Sequence, residues 1–335
     1  MTPRLALLTI AAPVLFALTQ PLPAQAPESA GTTAEGARIT IDVGVDLTHF
    51  GAAPELQAAD FELRTAGREV PVSSLTVNRQ PLRIVLLLDV TSSVSKRYDK
   101  GDFEEEIRKL FIDALRRGEE ARIGGFAQEL RLGPGFSSDP RVLRKALDTA
   151  FSHKKESTYG PSPIWDHTYA VVDELANVQG RRAVILFTDG RSTGNRRSIH
   201  DLAERCIQTG VSLSVLSYDR QVYIQQDATS AVVVRPRNPL LWLAEVTGGR
   251  LLGPSDTGKI DVAGLNLDHI LKTLQDAGKI IGPGTLIGEL LAGLRRVYTL
   301  EFPAPVADGK FYALDVRVKR TDATVRAPRA YQAPK

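Results

Sequence analysis

The chain has 335 residues, 43% of them hydrophobic, and its 42 basic and 39 acidic side chains leave a formal net charge of only +3. This near-neutral balance argues against a nucleic-acid-binding protein, in which a basic surface would dominate the count. The single cysteine, Cys206, excludes an intrachain disulfide, and its position in a predicted helix favours a buried, unreactive thiol.

The first 26 residues have the features of a signal peptide. Arg4 provides a positive charge, Leu5–Leu18 is apolar, and Ala24-Gln25-Ala26 is a small-residue cleavage signal. Pro27 leaves two alternatives open, a slightly shifted cut or retention of the segment as an anchor. No other segment approaches the ~20 apolar residues of a membrane span. The sequence therefore predicts a secreted or periplasmic protein, with residues 27–37 as a linker and no membrane span after cleavage.

Both flanks of the chain have the alternating pattern of β-strands. The segments with this pattern, or with weaker strand signals, are 38–47, 61–63, 70–77, 297–302 and 311–318. Asp308-Gly309 is a turn signal, so the last two segments are predicted to form a hairpin. Because an isolated hairpin is marginal in water, residues 38–80 and 296–335 are expected to pair into one small β-domain. The alternative is that each flank extends the central sheet.

Residues 81–255 show another pattern, in which short continuous apolar runs alternate with helical stretches. The runs are Ile84–Leu88, Ala183–Phe187 and Val211–Leu216, and the helical stretches are Phe103–Leu115, Val142–Phe151, Ile164–Leu175 and Ile199–Thr209. Runs of this kind are typical of strands that are covered on both faces. The alternation predicts an α/β fold with a doubly wound, mostly parallel sheet.

Further segments complete this domain. Ala121–Ala127 and Glu129–Phe136 are predicted to be adjacent strands, one of them an antiparallel edge, and Trp242–Val246 and Arg250–Leu252 are predicted to close the sheet. A helical segment, residues 256–295, follows and contains two amphipathic leucine patterns, Leu267–Leu274 and Leu286–Leu294. The stretch Gln221–Leu240 is predicted either to form a hairpin that shapes a binding rim or to be an irregular loop.

Polar residues stand where two of the buried strands end. Asp89-Val90-Thr91-Ser92-Ser93 follows the first run, and Thr188-Asp189-Gly190 follows the second. Open α/β sheets bind their ligands at the carboxyl ends of the strands. A hard cation such as Mg²⁺ prefers oxygen ligands, and hydroxyl groups supply oxygen without neutralising the charge.

These residues resemble the metal-ion-dependent adhesion site (MIDAS) of von Willebrand factor type A (VWA) domains. The family pattern is Asp-x-Ser-x-Ser, a distant Thr, and an Asp before Gly, and Asp89, Thr91, Ser93 and Asp189 match it. The segment 160–166 resembles the family's Gly-Gly-Thr-x-Leu-Tyr-Asp, with Ser162 at the threonine position. Thr158 is the alternative source of this hydroxyl.

The resemblance extends over nearly the whole mature chain, to the bacterial exported VWFA-related proteins first catalogued in acidobacteria. It is carried by the flank Arg38–Val77, the Thr247-Gly248-Gly249 turn and the end from Tyr298 to Tyr331. It implies a binding or adhesion module that holds Mg²⁺, with Mn²⁺ or Ca²⁺ as alternatives, and whose cation accepts an acidic side chain from a protein partner. It implies no catalytic nucleophile, so the protein is not expected to be an enzyme, and Asp166 is expected to support the site.

The motifs are also compatible with two other classes of protein. The first is a structural interaction protein whose metal site has degenerated. The second is a serine hydrolase, because Gly190-Arg191-Ser192-Thr193-Gly194 fits a Gly-x-Ser-x-Gly elbow and His269 lies downstream. Gly253–Lys259 resembles a nucleotide-binding P-loop, but Ile260 replaces the Ser or Thr that would hold Mg²⁺, so no nucleotide is predicted.

Overall fold

The structure is a computed structural model that describes residues 37–47, 56–95, 102–152, 160–217, 239–252 and 283–335. The strands are β1 (Arg38–Leu47), β2 (Phe61–Thr65), β3 (Arg68–Glu69), β4 (Ser74–Val77), β5 (Leu82–Asp89), β6 (Glu120–Phe126), β7 (Leu130–Leu132), β8 (Arg181–Thr188), β9 (Val211–Ser217), β10 (Leu251–Leu252), β11 (Val297–Pro303), β12 (Phe311–Val318), β13 (Ala323–Arg326) and β14 (Ala330–Gln332). The helices are α1 (Ser92–Ser95), α2 (Asp102–Ile107), α3 (Pro140–Ser152), α4 (Ile164–Leu175), α5 (Ile199–Thr209), α6 (Pro239–Val246) and α7 (Pro283–Arg295). A π-helical turn, Arg108–Ile112, continues α2, and a 3-10 turn covers Ala58–Asp60.

The central sheet has six strands in the order β10-β9-β8-β5-β6-β7, and every neighbouring pair is parallel except β6 and β7. On β5, Ile84, Leu86 and Leu88 pack with helices α2, α3 and α7, whereas Val85 and Leu87 face α4, α5 and α6. Both faces of the strand are therefore buried, which explains its unbroken apolar run. The predicted doubly wound α/β fold is confirmed.

The two flanks of the chain pair with each other in a β-sandwich. One four-stranded sheet has the order β13-β1-β11-β4 and the other β14-β12-β2-β3, so each combines strands from both flanks. The two sheets share one apolar core, in which Phe302 meets Tyr331 edge to face at 5.6 Å. The predicted small β-domain is thus confirmed, and the alternative that each flank extends the central sheet is wrong.

The predicted hairpin of residues 297–318 is also wrong. Gly309 does form the turn, with a φ of 74°, but β11 and β12 belong to opposite sheets of the sandwich. Strand β11 pairs instead with β1 over seven residue pairs, from Arg38 opposite Pro303 to Gly44 opposite Val297. The alternation of apolar and polar residues identifies a half-buried strand, but it does not show which strand pairs with it. The hairpin prediction paired β11 with the next strand in sequence, and that pairing was wrong.

Three other predicted elements differ from the structure. Trp242–Val246 is not a strand but part of α6, which begins with a proline at its first position and buries Leu240, Leu243 and Ala244 on one face. The predicted helix Phe103–Leu115 becomes α2 and the π-helical turn. The strand predicted at Glu129–Phe136 is reduced to Leu130–Leu132. A short apolar run does not by itself distinguish a buried strand from a buried helix.

Several predicted features lie outside the described residues: the signal peptide and all but the last residue of the linker, residues 221–238 of the proposed hairpin, the P-loop-like segment, the Leu267–Leu274 helix, Thr158 and His269. Within the described ranges, no helix combines the length and apolar character that a membrane span requires. The predicted domain boundaries therefore remain predictions.

The sandwich and the α/β unit are joined by a buried ion cluster around Asp46, the Asp46 cluster (Asp46, Arg250 and Arg326). Arg326 donates from Nε to Asp46 Oδ2 at 2.6 Å and from Nη2 to the carbonyl oxygen of Gly293 at 3.1 Å, and Arg250 pairs with the other carboxylate oxygen. Burial by itself would raise the pKa of Asp46, but attraction to the two guanidinium groups outweighs it and lowers that pKa. The cluster thus connects β1 and β13 to the end of the central sheet.

Candidate metal centre

The polar ends of β5 and β8 lie side by side at the middle of the central sheet. From β5 the chain continues to β6 on one side, whereas β8 lies on the other side, so the strand order reverses between these two strands. Such a reversal opens a crevice at the carboxyl ends of the strands. Asp89 is the last residue of β5, and Asp189 directly follows β8.

Asp89 is 1% exposed, and its carboxylate accepts hydrogen bonds from Thr91 and Thr188. Its Oδ1 accepts from the backbone N–H of Thr91 at 3.0 Å and from Thr91 Oγ1 at 2.6 Å, and its Oδ2 accepts from Thr188 Oγ1 at 2.6 Å. Thr91 Oγ1 lies 3.2 Å from Ser93 Oγ. The structure therefore brings Asp89, Thr91 and Ser93 together, in the tight turn from β5 into α1.

Without a cation, the carboxylates of Asp89 and Asp189 are unfavourably placed, because both are buried and they repel each other. Burial raises the pKa of Asp89 to about 6, hydrogen bonds from Thr188 and Thr91 oppose this, and repulsion by Asp189 raises it further. The two carboxylates are thus close enough to repel each other. A nearby cation would relieve both the burial and the repulsion.

Asp189 is 3% exposed, and only one of its carboxylate oxygens is hydrogen-bonded. Oδ1 accepts from the backbone N–H of Arg191 at 3.0 Å, while Oδ2 is buried and has no hydrogen-bond partner among the described residues. The side chain of Arg191 is 65% exposed, and its Nε is 3.6 Å from Oδ2. Gly190 turns the chain here with a φ of 77°, and a Cβ at this position would lie 2.8 Å from Leu240 Cδ1.

Ser162 lies in the loop before α4, and its hydroxyl oxygen is also buried without a hydrogen-bond partner in the described part of the chain. Its backbone is fixed to the loop that follows Asp189. The N–H of Ser162 donates to Thr193 Oγ1 at 3.0 Å, and the N–H of Thr193 donates to the Ser162 carbonyl at 2.9 Å. The loops that carry Ser162 and Asp189 therefore form one unit.

The residues gathered here fit a divalent cation. Buried polar atoms are nearly always hydrogen-bonded, so the unpartnered oxygens Ser162 Oγ and Asp189 Oδ2 require an explanation, and a bound cation is one. Together with Thr91 and Ser93, they provide hydroxyl and carboxylate oxygens of the kind that Mg²⁺ prefers. Among the described residues no group of three His, Cys, Asp or Glu side chains is placed to hold a metal ion. A metal centre here depends on hydroxyl oxygens.

Two residues singled out in the sequence stabilise the loop between β8 and α5. Ser192 Oγ accepts from the N–H of Ile164 at 3.1 Å and from Asn195 Nδ2 at 2.7 Å, and donates to the Ser162 carbonyl at 3.3 Å. Asp166 accepts from the backbone N–H groups of Arg196 and Arg197 at 2.9 and 2.8 Å. Asp166 therefore holds this loop against the start of α4.

Sequence reasoning missed Thr188 and Thr193. Thr188 holds the second oxygen of Asp89, and Thr193 fixes the Ser162 backbone. For Thr188 a signal existed, since it directly precedes Asp189 at the end of a buried strand. The pairing of Thr193 with Ser162 depends on two loops that are distant in sequence.

Replacing Ser192 with alanine is expected to lower the free energy of unfolding by about 1–3 kcal/mol, because three hydrogen bonds are lost: the Nδ2 group of Asn195 loses its acceptor, the Ser162 carbonyl loses a donor, and the Ile164 amide keeps only its bond to that carbonyl, at 2.9 Å. Urea denaturation measures this change. Ser152→Ala serves as a control, since Ser152 Oγ is an exposed hydroxyl that donates only to the Thr149 carbonyl. Equal small effects of both substitutions would contradict the assigned role of Ser192.

The fold and this crevice define the class of protein: a doubly wound α/β unit, set between two strand flanks, with oxygen atoms suited to a divalent cation at the reversal of strand order. The sequence matches no protein-family model and no curated protein. Solved structures that resemble the fold include two VWA proteins and a matrix protein of the mussel byssus.

A von Willebrand factor type A protein from Catenulispora acidiphila is 11% identical, with 90% of this chain and 75% of that chain covered and a TM-score of 0.43. The ArnB paralog VWA2 from Sulfolobus acidocaldarius is 11% identical, with 89% and 76% covered and a TM-score of 0.40. Proximal thread matrix protein 1 from the mussel byssus, with a zinc-occupied MIDAS motif, is 14% identical, with 68% and 49% covered and a TM-score of 0.41. Sequence identities and TM-scores as low as these give no information about the function of this chain.

Proposed function

We propose that this protein is an exported VWA-type binding module, of the bacterial branch that its sequence resembles, and that it holds a divalent cation in order to engage a protein partner. The cation ligands are Asp89, Thr91, Ser93, Ser162 and Asp189, acting directly or through water. Mg²⁺ is the proposed cation, with Mn²⁺ and Ca²⁺ as alternatives. The observation that carries the proposal is a pair of buried oxygens, Ser162 Oγ and Asp189 Oδ2, that accept or donate no hydrogen bond among the described residues, together with the buried carboxylate of Asp89 close to Asp189.

The residues around the site have distinct roles in this proposal. Asp89 fixes the hydroxyl of Thr91 beside that of Ser93, and Thr188 holds the carboxylate of Asp89 in place. The Thr193 bonds keep Ser162 on the same side as Asp189. The bound cation would supply an electrophilic position for one further oxygen ligand, and an Asp or Glu of the partner fills it.

The surface next to the site supports an acidic partner. Arg191, Arg196 and Arg197 are exposed on the loop after Asp189, and that loop carries no acidic residue before Asp201. Tyr169 lies beneath Arg197, whose guanidinium is 4.0 Å from the ring centre. Positive charge beside the cation favours the approach of a negatively charged surface and raises the association rate.

The proposal is binding rather than catalysis. Ser192, the residue that a hydrolase would use, has its hydroxyl engaged by three loop groups, and α5 begins only at Ile199 instead of directly after the turn. A nucleophile elbow requires a sharp turn from strand to helix with its serine presented to substrate. A structural protein with a degenerate metal site is the remaining alternative, and it predicts no response to divalent ions.

Calorimetric titration of Mg²⁺, Mn²⁺ and Ca²⁺ into the full chain tests the proposal. We expect saturable binding of at least one ion to the wild type, and loss of that binding in Asp189→Asn, which removes a ligand charge at almost constant volume. Asp173→Asn is the matched control, because Asp173 is an exposed helical residue that pairs only with Arg205. If the wild type ignores all three ions, the cation proposal fails and the degenerate-site alternative stands.

A further inference from the structure

A cavity of about 470 Å³ lies at the end of the central strands that is remote from Asp89 and Asp189. It is bounded on one side by β1 and β11 of the sandwich, and on the other by the amino ends of β8 and β9 and the end of α5. Small-molecule sites have volumes of this order and occur preferentially where two domains meet.

The charged residues that line the cavity are mostly arginines: Arg38, Asp42, Arg181, Arg182 and Arg326. Arg38 is paired with Glu301 at the surface, and Arg326 is paired with Asp46. For the other two guanidinium groups, those of Arg181 and Arg182, Asp42 is the one carboxylate among the described residues that line the cavity. The lining has an excess of positive charge.

Neither Arg181 nor Arg182 has hydrogen-bond acceptors for all of its guanidinium N–H groups among the described residues. Arg181 is 9% exposed and donates from Nη2 to the Leu294 carbonyl, but its Nε is buried without a hydrogen bond and lies 3.9 Å from Asp42 Oδ2. Arg182 makes no ion pair among the described residues, its Nε is likewise buried and unbonded, and its contact from Nη1 to the Ala176 carbonyl is long, at 3.4 Å. Asp42 is itself occupied, since its Oδ1 accepts from Asn78 and Thr299.

Burial of unpaired guanidinium groups is unfavourable, and the pKa values of both arginines respond to it. Burial lowers the pKa of Arg181 and that of Arg182, and the attraction of Asp42 opposes it in both cases. Arg326 adds repulsion at Arg181. An anion in the cavity would offset these costs by supplying a counter-charge close to the guanidinium groups.

We propose that this cavity is a binding site for a small organic anion, whose phosphate or carboxylate group is held by Arg182, while Arg181, which leaves the opposite face of β8, adds longer-range attraction. The planar fork of a guanidinium matches both groups in bidentate fashion, which favours these anions over a spherical ion such as chloride. The volume leaves room for the organic part of such a molecule next to Gln208, which also lines the cavity. Because the walls come from both domains, a bound anion bridges the sandwich and the α/β unit.

Titration calorimetry on the full chain tests this inference, with inorganic phosphate and succinate as separate probes, chloride to keep the ionic strength constant, and no divalent ion. We expect at least one probe to bind saturably in the millimolar range or tighter and to raise the midpoint of thermal unfolding. Saturation by phosphate alone identifies a phosphate site, and saturation by succinate alone identifies a carboxylate site.

Substitutions of Arg182 test whether this residue is responsible for anion binding. Arg182→Gln is expected to weaken binding about tenfold, the size expected for one charged hydrogen bond, and Arg182→Lys to lie between it and the wild type. Arg122→Gln is the matched control, since Arg122 is similarly buried but pairs with Glu174 away from the cavity. The inference fails if neither probe saturates, or if Arg182→Gln and Arg122→Gln bind as well as the wild type. Circular dichroism checks that each variant is folded.

Discussion

Replacing Asp46 with asparagine is expected to lower the free energy of unfolding by about 3–5 kcal/mol, the range found when one partner of a buried ion pair is removed. Asp46 is 4% exposed, and its partners Arg250 and Arg326 have side chains that are only 7% and 13% exposed. The substitution keeps the volume, so no cavity forms. What remains is two buried guanidinium groups without a counter-charge.

Urea denaturation at neutral pH measures this loss. Asp315→Asn is the control, because Asp315 forms an exposed pair with Arg317, and such pairs contribute about 0–1 kcal/mol. A loss below about 1 kcal/mol in Asp46→Asn, equal to that of the control, would show that the Asp46 cluster contributes little to stability.

The contribution of Asp46 to the free energy of unfolding depends on pH. Because the pKa of Asp46 is lowered in the folded protein from the value of 3.8, the folded state binds fewer protons than the unfolded state in acid. The stability that Asp46 provides is thus present above pH 3.8 and is lost as the pH falls through the lowered folded-state value. The difference in unfolding free energy between wild type and Asp46→Asn should shrink over that acidic range.

Replacing Asp89 with asparagine is expected to have two effects of opposite sign. It removes a charge from the proposed ligand set, so binding of the divalent cation should be lost. Without metal, the free energy of unfolding should rise by about 1–3 kcal/mol at neutral pH, because burial and repulsion by Asp189 raise the pKa of this carboxyl group to about 6 and its ionised form opposes folding. The hydrogen bond from the Thr91 amide can be kept, and the Thr188 hydroxyl can accept from the new amide group.

Thermal unfolding with and without Mg²⁺ distinguishes these effects. The wild type should be stabilised by the ion, whereas Asp89→Asn should be more stable than the wild type in its absence and unresponsive in its presence. Asp173→Asn should behave like the wild type. If Asp89→Asn is less stable than the wild type without any metal, Asp89 serves the fold rather than the cation.

The central α/β unit was largely predictable because its signals are local. A strand covered on both faces must be continuously apolar, as Ile84–Leu88 is, and a helix on the sheet must be amphipathic, as Ile199–Thr209 is. The bounds of α4 and α5 agree with those predicted. Strand pairing in the sandwich was not predictable in the same way, since β1 pairs with β11 and with none of the strands that lie nearer to it in the sequence.

The site was predictable to the extent that its residues follow strand ends. Asp89 and Asp189 meet because β5 and β8 are parallel neighbours in the sheet. Ser162 was found only through its resemblance to a family motif, since its position depends on bonds to Thr193 across two loops. The Asp46 cluster gave no sequence signal at all, because its three members come from separate segments that only the finished fold brings together.

Because strands from the two flanks pair with each other, the sandwich can form only after the second flank has been synthesised. Strand β1 is synthesised long before its partners β11 and β13, because the whole α/β unit lies between them in the sequence. The α/β unit, whose strands and helices follow one another closely, can therefore assemble while β1 still has an unpaired edge. Contacts of such long sequence separation form slowly. A chain that stalls before residue 297 would expose that edge to other chains, so β11 and β13 protect β1 against aggregation.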